Sequence, residues 1–142
     1  MSTKLKLLTA GATALLASAC ATTAATSPVS TGGASRLTGR EWVVEDIAGS
    51  GIVDDSHATL VFASDGGFSG SATCNRMTGT HRVEGSRLTI GTIGLTRMAC
   101  PPALMEQEGR LIDLLGKVES YAIDDTGGLT LRSASGATIT AR

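Results

Sequence analysis

Short runs in which apolar and polar residues alternate, separated by glycine-rich turns, make up most of the chain after residue 37. Such alternation is typical of strands that have one face on a core and the other in solvent. The Asp65-Gly66 step predicts a hairpin, because it tolerates the positive φ angles of tight turns, and a second hairpin is expected at 84–86. The predicted strands cover residues 42–47, 58–63, 68–73, 80–84, 87–93, 118–123, 129–132 and 137–141.

The pattern changes to a helical one at Pro101. Pro101 and Pro102 suit a helix N-terminus, where a missing N–H costs little, and Gly116 is a natural stop. The apolar residues between them recur at helical spacing: Leu104, Met105, Leu111, Ile112 and Leu115. The charged residues are expected mainly off this stripe: Glu106, Glu108, Arg110 and Asp113.

These elements predict an α+β fold that is mainly antiparallel β. We expect a small curled sheet or pseudobarrel of about seven or eight short strands, closed on one side by the single helix. Aromatic residues make up only 3% of the chain, so the core is expected to consist mostly of Val, Ile, Leu and Met.

The first 20 residues are organised like an export signal. Two lysines precede a short apolar run over residues 7–16, and small residues then lead to Cys20. This order predicts a signal peptide over residues 1–19. The ending before Cys20 resembles a bacterial lipobox, in which the cysteine is acylated and becomes the first mature residue. The alternative is an ordinary signal peptide cut after Ala19 or Ala21, with Cys20 incidental.

The residues after Cys20 bear on localisation and domain organisation. Ala21 is not the aspartate that favours inner-membrane retention, so we expect an outer-membrane lipoprotein with its domain in the periplasm, rather than at the inner membrane or on the surface. Residues 20–36 are small and polar and predict a flexible tether carrying the lipidated cysteine, because they offer little apolar surface to pack. A single domain is then expected over residues 37–142.

The charge balance limits the classes of partner. The chain has 12 basic and 13 acidic residues, and removal of Lys4 and Lys6 with the signal peptide leaves 10 basic residues. A mildly acidic protein argues against nucleic acid as a partner. The apolar run over 7–16 is shorter than the roughly 20 residues that span a bilayer, so membrane contact is expected through the lipid anchor.

With Cys20 set aside, Cys74 and Cys100 are the remaining cysteines. Export to an oxidising compartment favours a disulfide between them, and two buried free thiols are the alternative. A thiol enzyme would need a free nucleophile and a base, but His57 and His81 stand in no recognisable motif. We therefore expect no enzyme and no catalytic residues.

Soft-metal binding is a further possibility that the residue types raise. Methionine, cysteine and histidine side chains could hold Cu(I), and several occur in the domain. Their spacing matches no ligand motif, so no metal site and no cofactor are predicted, and copper binding is kept as an alternative function.

Two clusters indicate a family. The first covers residues 70–79 and contains Cys74-Asn75-Arg76, and the second is Thr96-Arg97-Met98-Ala99-Cys100-Pro101, followed by Glu108. With Trp42 opening the domain, they resemble the META domain family of HslJ-like heat-shock and envelope proteins. Thr73 departs from the glycine usual before the first cysteine, and His81 stands near the place where an aromatic residue is common.

The resemblance implies a small β-rich pseudobarrel with one helix, and a link to stress response and cell-envelope integrity. Asn75 can build a turn pinned by the cysteine, or it can join Arg76 and Arg97 in a polar recognition surface. The expected function is a non-enzymatic, lipid-anchored envelope protein that presents a binding domain to an unidentified envelope partner. The alternatives are an inhibitor of proteases or other secreted enzymes, and a copper-binding envelope protein.

Overall fold

The computed structural model describes residues 32–142. The predicted signal peptide, the lipid attachment at Cys20 and the tether up to residue 31 lie outside the described residues. The elements are α1 (Gly32–Leu37), β1 (Glu41–Ile47), β2 (Ala58–Phe62), β3 (Gly67–Ala72), β4 (Arg76–Glu84), β5 (Arg87–Ile90), β6 (Gly94–Leu95), α2 (Pro102–Leu115), β7 (Val118–Ile123), β8 (Leu129–Ser133) and β9 (Thr138–Ala141).

The strands form a closed antiparallel barrel. Their order is β3-β2-β1-β9-β8-β7-β5-β4, and β4 pairs with β3 again to close the ring, while β6 is an extra strand on β4. Within β2, Ala58, Leu60 and Phe62 are buried, as their alternation predicts. The α+β, mainly antiparallel pseudobarrel expected from the sequence is confirmed. Within residues 32–142, no helix is long and apolar enough to cross a membrane.

Strand β4 is longer than predicted because it has two different neighbours along one edge. Its second half pairs with β5, from His81 opposite Ile90 to Glu84 opposite Arg87. Its first half pairs with β6 on the same edge and with β3 on the other. The chain leaves β5 after Ile90, where the Gly91 N–H still donates to the Thr80 carbonyl, and returns as β6. The strand predicted over 87–93 is therefore two short strands.

Helix α1 covers the barrel end at which β1 begins. The structure places residues 32–36 in this helix, ahead of the domain boundary expected at residue 37. Leu37 is fully buried, and its carbonyl accepts a 2.9 Å hydrogen bond from the Trp42 indole N–H. The buried Leu37 side chain and this hydrogen bond join α1 to the core. The small, polar residues 32–36 gave no sign in the sequence that they belong to the folded domain.

Helix α2 closes the opposite end of the barrel, with the bounds that the sequence predicts. Leu111, Leu114 and Leu115 are buried in the core. Met105, expected on the apolar stripe, is 39% exposed. Glu108, expected off the stripe, is buried beside Gln107, because both side chains have polar partners below the helix. The helix therefore presents a mixed face, polar in its first half and apolar in its second.

Replacing Leu111 by alanine should lower the free energy of unfolding by roughly 2 to 5 kcal/mol, because the side chain is fully buried and its removal leaves a cavity. Chemical denaturation measures the loss. The matched control is Arg110→Ala on the exposed side of α2, which should cost less than about 0.5 kcal/mol. A larger loss for Arg110→Ala than for Leu111→Ala would contradict the placement of α2.

Candidate functional site

The side chain of Asn75 joins three segments at the α2 end of the barrel. It lies in the turn between β3 and β4 and is only 3% exposed. Its Nδ2 donates to Glu108 Oε1 at 2.9 Å and to the Met98 carbonyl at 3.3 Å. Its Oδ1 accepts from the Met98 N–H at 2.6 Å and from the Thr96 hydroxyl at 3.0 Å. The amide therefore fixes the 96–98 segment against both the barrel and α2.

The Glu108 side chain, on helix α2, binds Asn75. Its Oε2 accepts the backbone N–H of Asn75 at 2.8 Å, so the two carboxylate oxygens bind one residue at two points. A buried carboxylate is costly unless hydrogen bonds replace its lost water. Glu108 is the glutamate of the sequence motif. Its two hydrogen bonds to Asn75 stabilise the turn between β3 and β4.

Gln107, next to Glu108 on the buried face of α2, makes a similar set of hydrogen bonds. Its Nε2 donates to Ser56 Oγ at 3.0 Å and to Thr73 Oγ1 at 2.8 Å, and its Oε1 accepts from the Val53 N–H at 2.5 Å. The sequence analysis missed this residue. Gln107 lies three residues after Leu104 and four before Leu111. Residues so spaced lie on one face of a helix, so this spacing could have predicted that Gln107 is buried.

Cys74 and Cys100 form the predicted disulfide, with their Cα atoms 6.1 Å apart. The bond closes a loop with a sequence separation of 26, which stabilises the fold by about 3 to 4 kcal/mol in the chain-entropy model. Residues 96–98 are thus held by hydrogen bonds along their length and by a covalent link two residues later. The result is a pre-organised surface segment.

The three residues expected to form a recognition surface have different positions. Asn75 is buried and positions the segment, whereas Arg76 and Arg97 are exposed on either side of it. Arg76 lines a groove of 640 Å³ beside strands β2, β3 and β4, and Arg97 lines a groove of 820 Å³ toward α2. Thr96 and Met98 line both grooves, so this segment is the ridge between them.

Exposed apolar side chains cluster around this ridge. Met98 is 59% exposed, Leu95 38% and Met105 39%, and all three line the groove that contains Arg97. We call Leu95, Arg97, Met98 and Met105 the Met98 surface. Within residues 32–142, neither Arg76 nor Arg97 has a salt-bridge partner, so both guanidinium groups remain available.

The two histidines lie apart from this surface. His81 packs edge-on against the Phe62 ring, with ring centroids 5.2 Å apart, and its Nδ1 lies 3.0 Å from the Gly67 carbonyl. His57 is exposed next to β2. In the part of the chain that the structure describes, no group of three or more His, Cys, Asp or Glu side chains could hold a metal.

Comparison with known proteins agrees with the motifs. The model of the META domain family matches residues 35–142. No curated protein matches the sequence.

Solved structures share the fold. An NMR structure of a protein from Burkholderia xenovorans has a TM-score of 0.62 and 24% identity, covering 76% of this chain and 83% of that one. A second protein solved by NMR has a TM-score of 0.58 and 26% identity, with coverage of 76% and 92%. A crystal structure of a DUF4847 family protein from Bacteroides vulgatus ATCC 8482 has a TM-score of 0.55 and 17% identity, with coverage of 74% and 92%.

Replacing Asn75 by alanine should lower the free energy of unfolding by about 2 to 4 kcal/mol, because it leaves Oε1 of the buried Glu108 carboxylate and the Met98 N–H without their side-chain partner. Urea denaturation of the oxidised protein measures the loss. The neighbouring Arg76→Ala is the control and should cost less than about 0.5 kcal/mol, since its side chain is exposed. Equal losses in the two variants would mean that Asn75 does not hold the segment.

Proposed function

The chain belongs to the META domain family, and from that premise we propose that it is a non-enzymatic, lipid-anchored protein of the cell envelope. Its domain binds another envelope component through the Met98 surface, and its role is of the stress-response and envelope-integrity type. The observation that carries the proposal is the exposure of Leu95, Met98 and Met105 around a segment that is otherwise rigidly held.

Pre-organisation of the 96–98 segment supports a binding role. Ordering a flexible loop on binding costs free energy, and a loop that is already fixed avoids most of that cost. Here Asn75 bonds both the N–H and the carbonyl of Met98, and the disulfide fixes Cys100. The segment therefore presents the exposed Met98 side chain on a fixed backbone.

The chemistry of the Met98 surface indicates what it binds. Methionine is flexible and polarisable, so it adapts to apolar partners of different shape. Arg97 adds a planar donor that suits a carboxylate. An envelope protein with an apolar segment next to an acidic residue fits both features.

The N-terminal residues supply the anchor in this proposal. The lipobox-like ending at Cys20 supports acylation there, and Ala21 supports an outer-membrane location with the domain in the periplasm. Several acyl chains would hold the protein firmly, because each buried methylene contributes about 0.8 kcal/mol.

A second candidate is inhibition of a protease or another secreted enzyme. The observation in its favour is the same ridge, because a rigid exposed segment next to a disulfide can occupy an active site without being distorted. The copper alternative is weaker, since the bonded Cys74 and Cys100 offer no thiolate ligands.

Replacing Cys20 by serine should remove the acyl group and shift the protein from the membrane fraction to an unprocessed or soluble form. Cell fractionation with metabolic fatty-acid labelling measures both changes. Cys74→Ser with Cys100→Ser is the control, because it removes the other cysteines without touching the lipobox. Membrane-bound, labelled protein in the Cys20→Ser variant would exclude this anchor.

A photo-crosslinking residue at position 98 in living cells should give a specific adduct with an envelope protein, because Met98 is the most exposed of the three apolar side chains. The same residue at position 132 on β8 is the control and should give none. Arg97→Ala should weaken the position-98 adduct about tenfold if a carboxylate is its partner. Equal adducts at 98 and 132 would contradict the binding role, and inhibition of periplasmic proteases by the purified chain would favour the second candidate.

A further inference from the structure

The hydroxyl of Tyr121 is a buried polar group that has no hydrogen-bond partner in the described part of the chain. Tyr121 lies on β7 at the barrel end covered by α1, and its side chain is 7% exposed. Among the described residues, its hydroxyl is the only buried side-chain nitrogen or oxygen with no hydrogen bond. Burial raises the pKa of the phenol, so the hydroxyl keeps its proton and remains a donor. A buried hydroxyl that makes no hydrogen bond lowers the stability of the fold, so its presence here needs a physical reason.

The hydroxyl faces α1 at the edge of a cavity. An ideal Cβ placed on Gly33 would lie 2.9 Å from the hydroxyl oxygen, so only glycine fits above it without displacing either group. The adjoining cavity has a volume of 480 Å³ and is lined by residues of α1, the β4–β5 turn and β7. Its size is within the range of small-molecule sites, and the mouth of a barrel is a common place for them.

The walls of the cavity combine one cation with apolar surface. Arg36 lines it from α1, and its Nη2 donates to the Asp124 carbonyl at 2.9 Å, leaving its other N–H groups free to reach a ligand. Ala122 and Ile123 provide the apolar side, and no acidic side chain is among the lining residues. A hydroxyl donor and a guanidinium beside apolar walls suit a carboxylate that carries an apolar chain.

We propose that this mouth binds a small amphiphilic carboxylate, with its head held by Tyr121 and Arg36 and its chain against Ala122 and Ile123. Because Gly33 covers the hydroxyl, α1 must move outward by a small distance for the carboxylate to reach it. The site lies at the opposite end of the barrel from the Met98 surface, so this inference is independent of the proposed partner binding.

The stability of Tyr121→Phe provides the first test. A hydroxyl that lacks a partner contributes nothing to the unliganded fold, so its removal should leave the thermal midpoint unchanged or raise it slightly. A drop of several degrees would show that the hydroxyl already has a structural partner, and it would overturn the proposal.

The second test uses the fact that Tyr121 is the only tyrosine in the chain. The full chain labelled with ¹³Cζ-tyrosine gives one tyrosine signal, which should shift in a saturable manner as decanoate is added below its micelle-forming concentration. Decyltrimethylammonium has the same chain length with the opposite charge, and acetate has the carboxylate without the chain. Neither should cause a saturable shift in the same concentration range.

Calorimetric titration of decanoate then identifies the residues that bind it. Tyr121→Phe and Arg36→Ala should each weaken binding by about tenfold or more, because each removes a hydrogen-bond donor to the charged head. Arg110→Ala, on α2 at the other end of the barrel, should leave the affinity unchanged. Equal binding of decanoate and decyltrimethylammonium, or equal affinity in all three variants, would mean non-specific apolar adsorption and would overturn the site.

Discussion

The closure of the barrel depends on the turn at residues 73–75, where β3 reverses into β4, and on the buried Asn75 that holds this turn. Thr73 adopts a φ of 98°, which costs free energy for a β-branched residue, and glycine is usual in the family at this position. Its hydroxyl accepts a hydrogen bond from Gln107, which offsets part of that cost. The turn is thus stabilised from α2 at two neighbouring points, since Glu108 binds Asn75 directly. Without α2 beneath it, the strained turn would lose both of these side-chain supports.

The two ends of the barrel differ in how completely their polar groups are paired. At the α2 end, the Asn75 amide and the Glu108 carboxylate use both of their polar atoms within the protein, so this end is rigid and well specified. At the α1 end, the Tyr121 hydroxyl has no partner among residues 32–142, and an Arg36 hydrogen bond joins the helix to the β7–β8 turn. The C-terminal residue of α1, Leu37, is anchored in the core, so any opening at this end is confined to the first residues of the six-residue helix.

Sequence patterns predicted the parts of the fold that depend on local periodicity. The alternation of Ala58, Leu60 and Phe62 located β2, and the prolines and Gly116 located both ends of α2. Residues 76–79 of β4 were missed because they carry only one buried apolar side chain, Met77, and form a strand through their two neighbours. The sequence motif singled out Asn75 but did not predict that its side chain is buried. Its hydrogen-bond partners, in segment 96–98 and at residue 108, come together only in the closed barrel.

The backbone of the 96–98 segment limits how a partner can recognise it. Asn75 occupies both the N–H and the carbonyl of Met98, and the N–H of Thr96 donates to the Arg76 carbonyl at 3.0 Å. These three backbone groups are therefore closed to a partner strand. In the proposed binding role, the side chains of Arg97 and Met98, which line the groove toward α2, are the groups left to make the contact. The buried polar groups thus decide both the shape of the ridge and the kind of contact it can make.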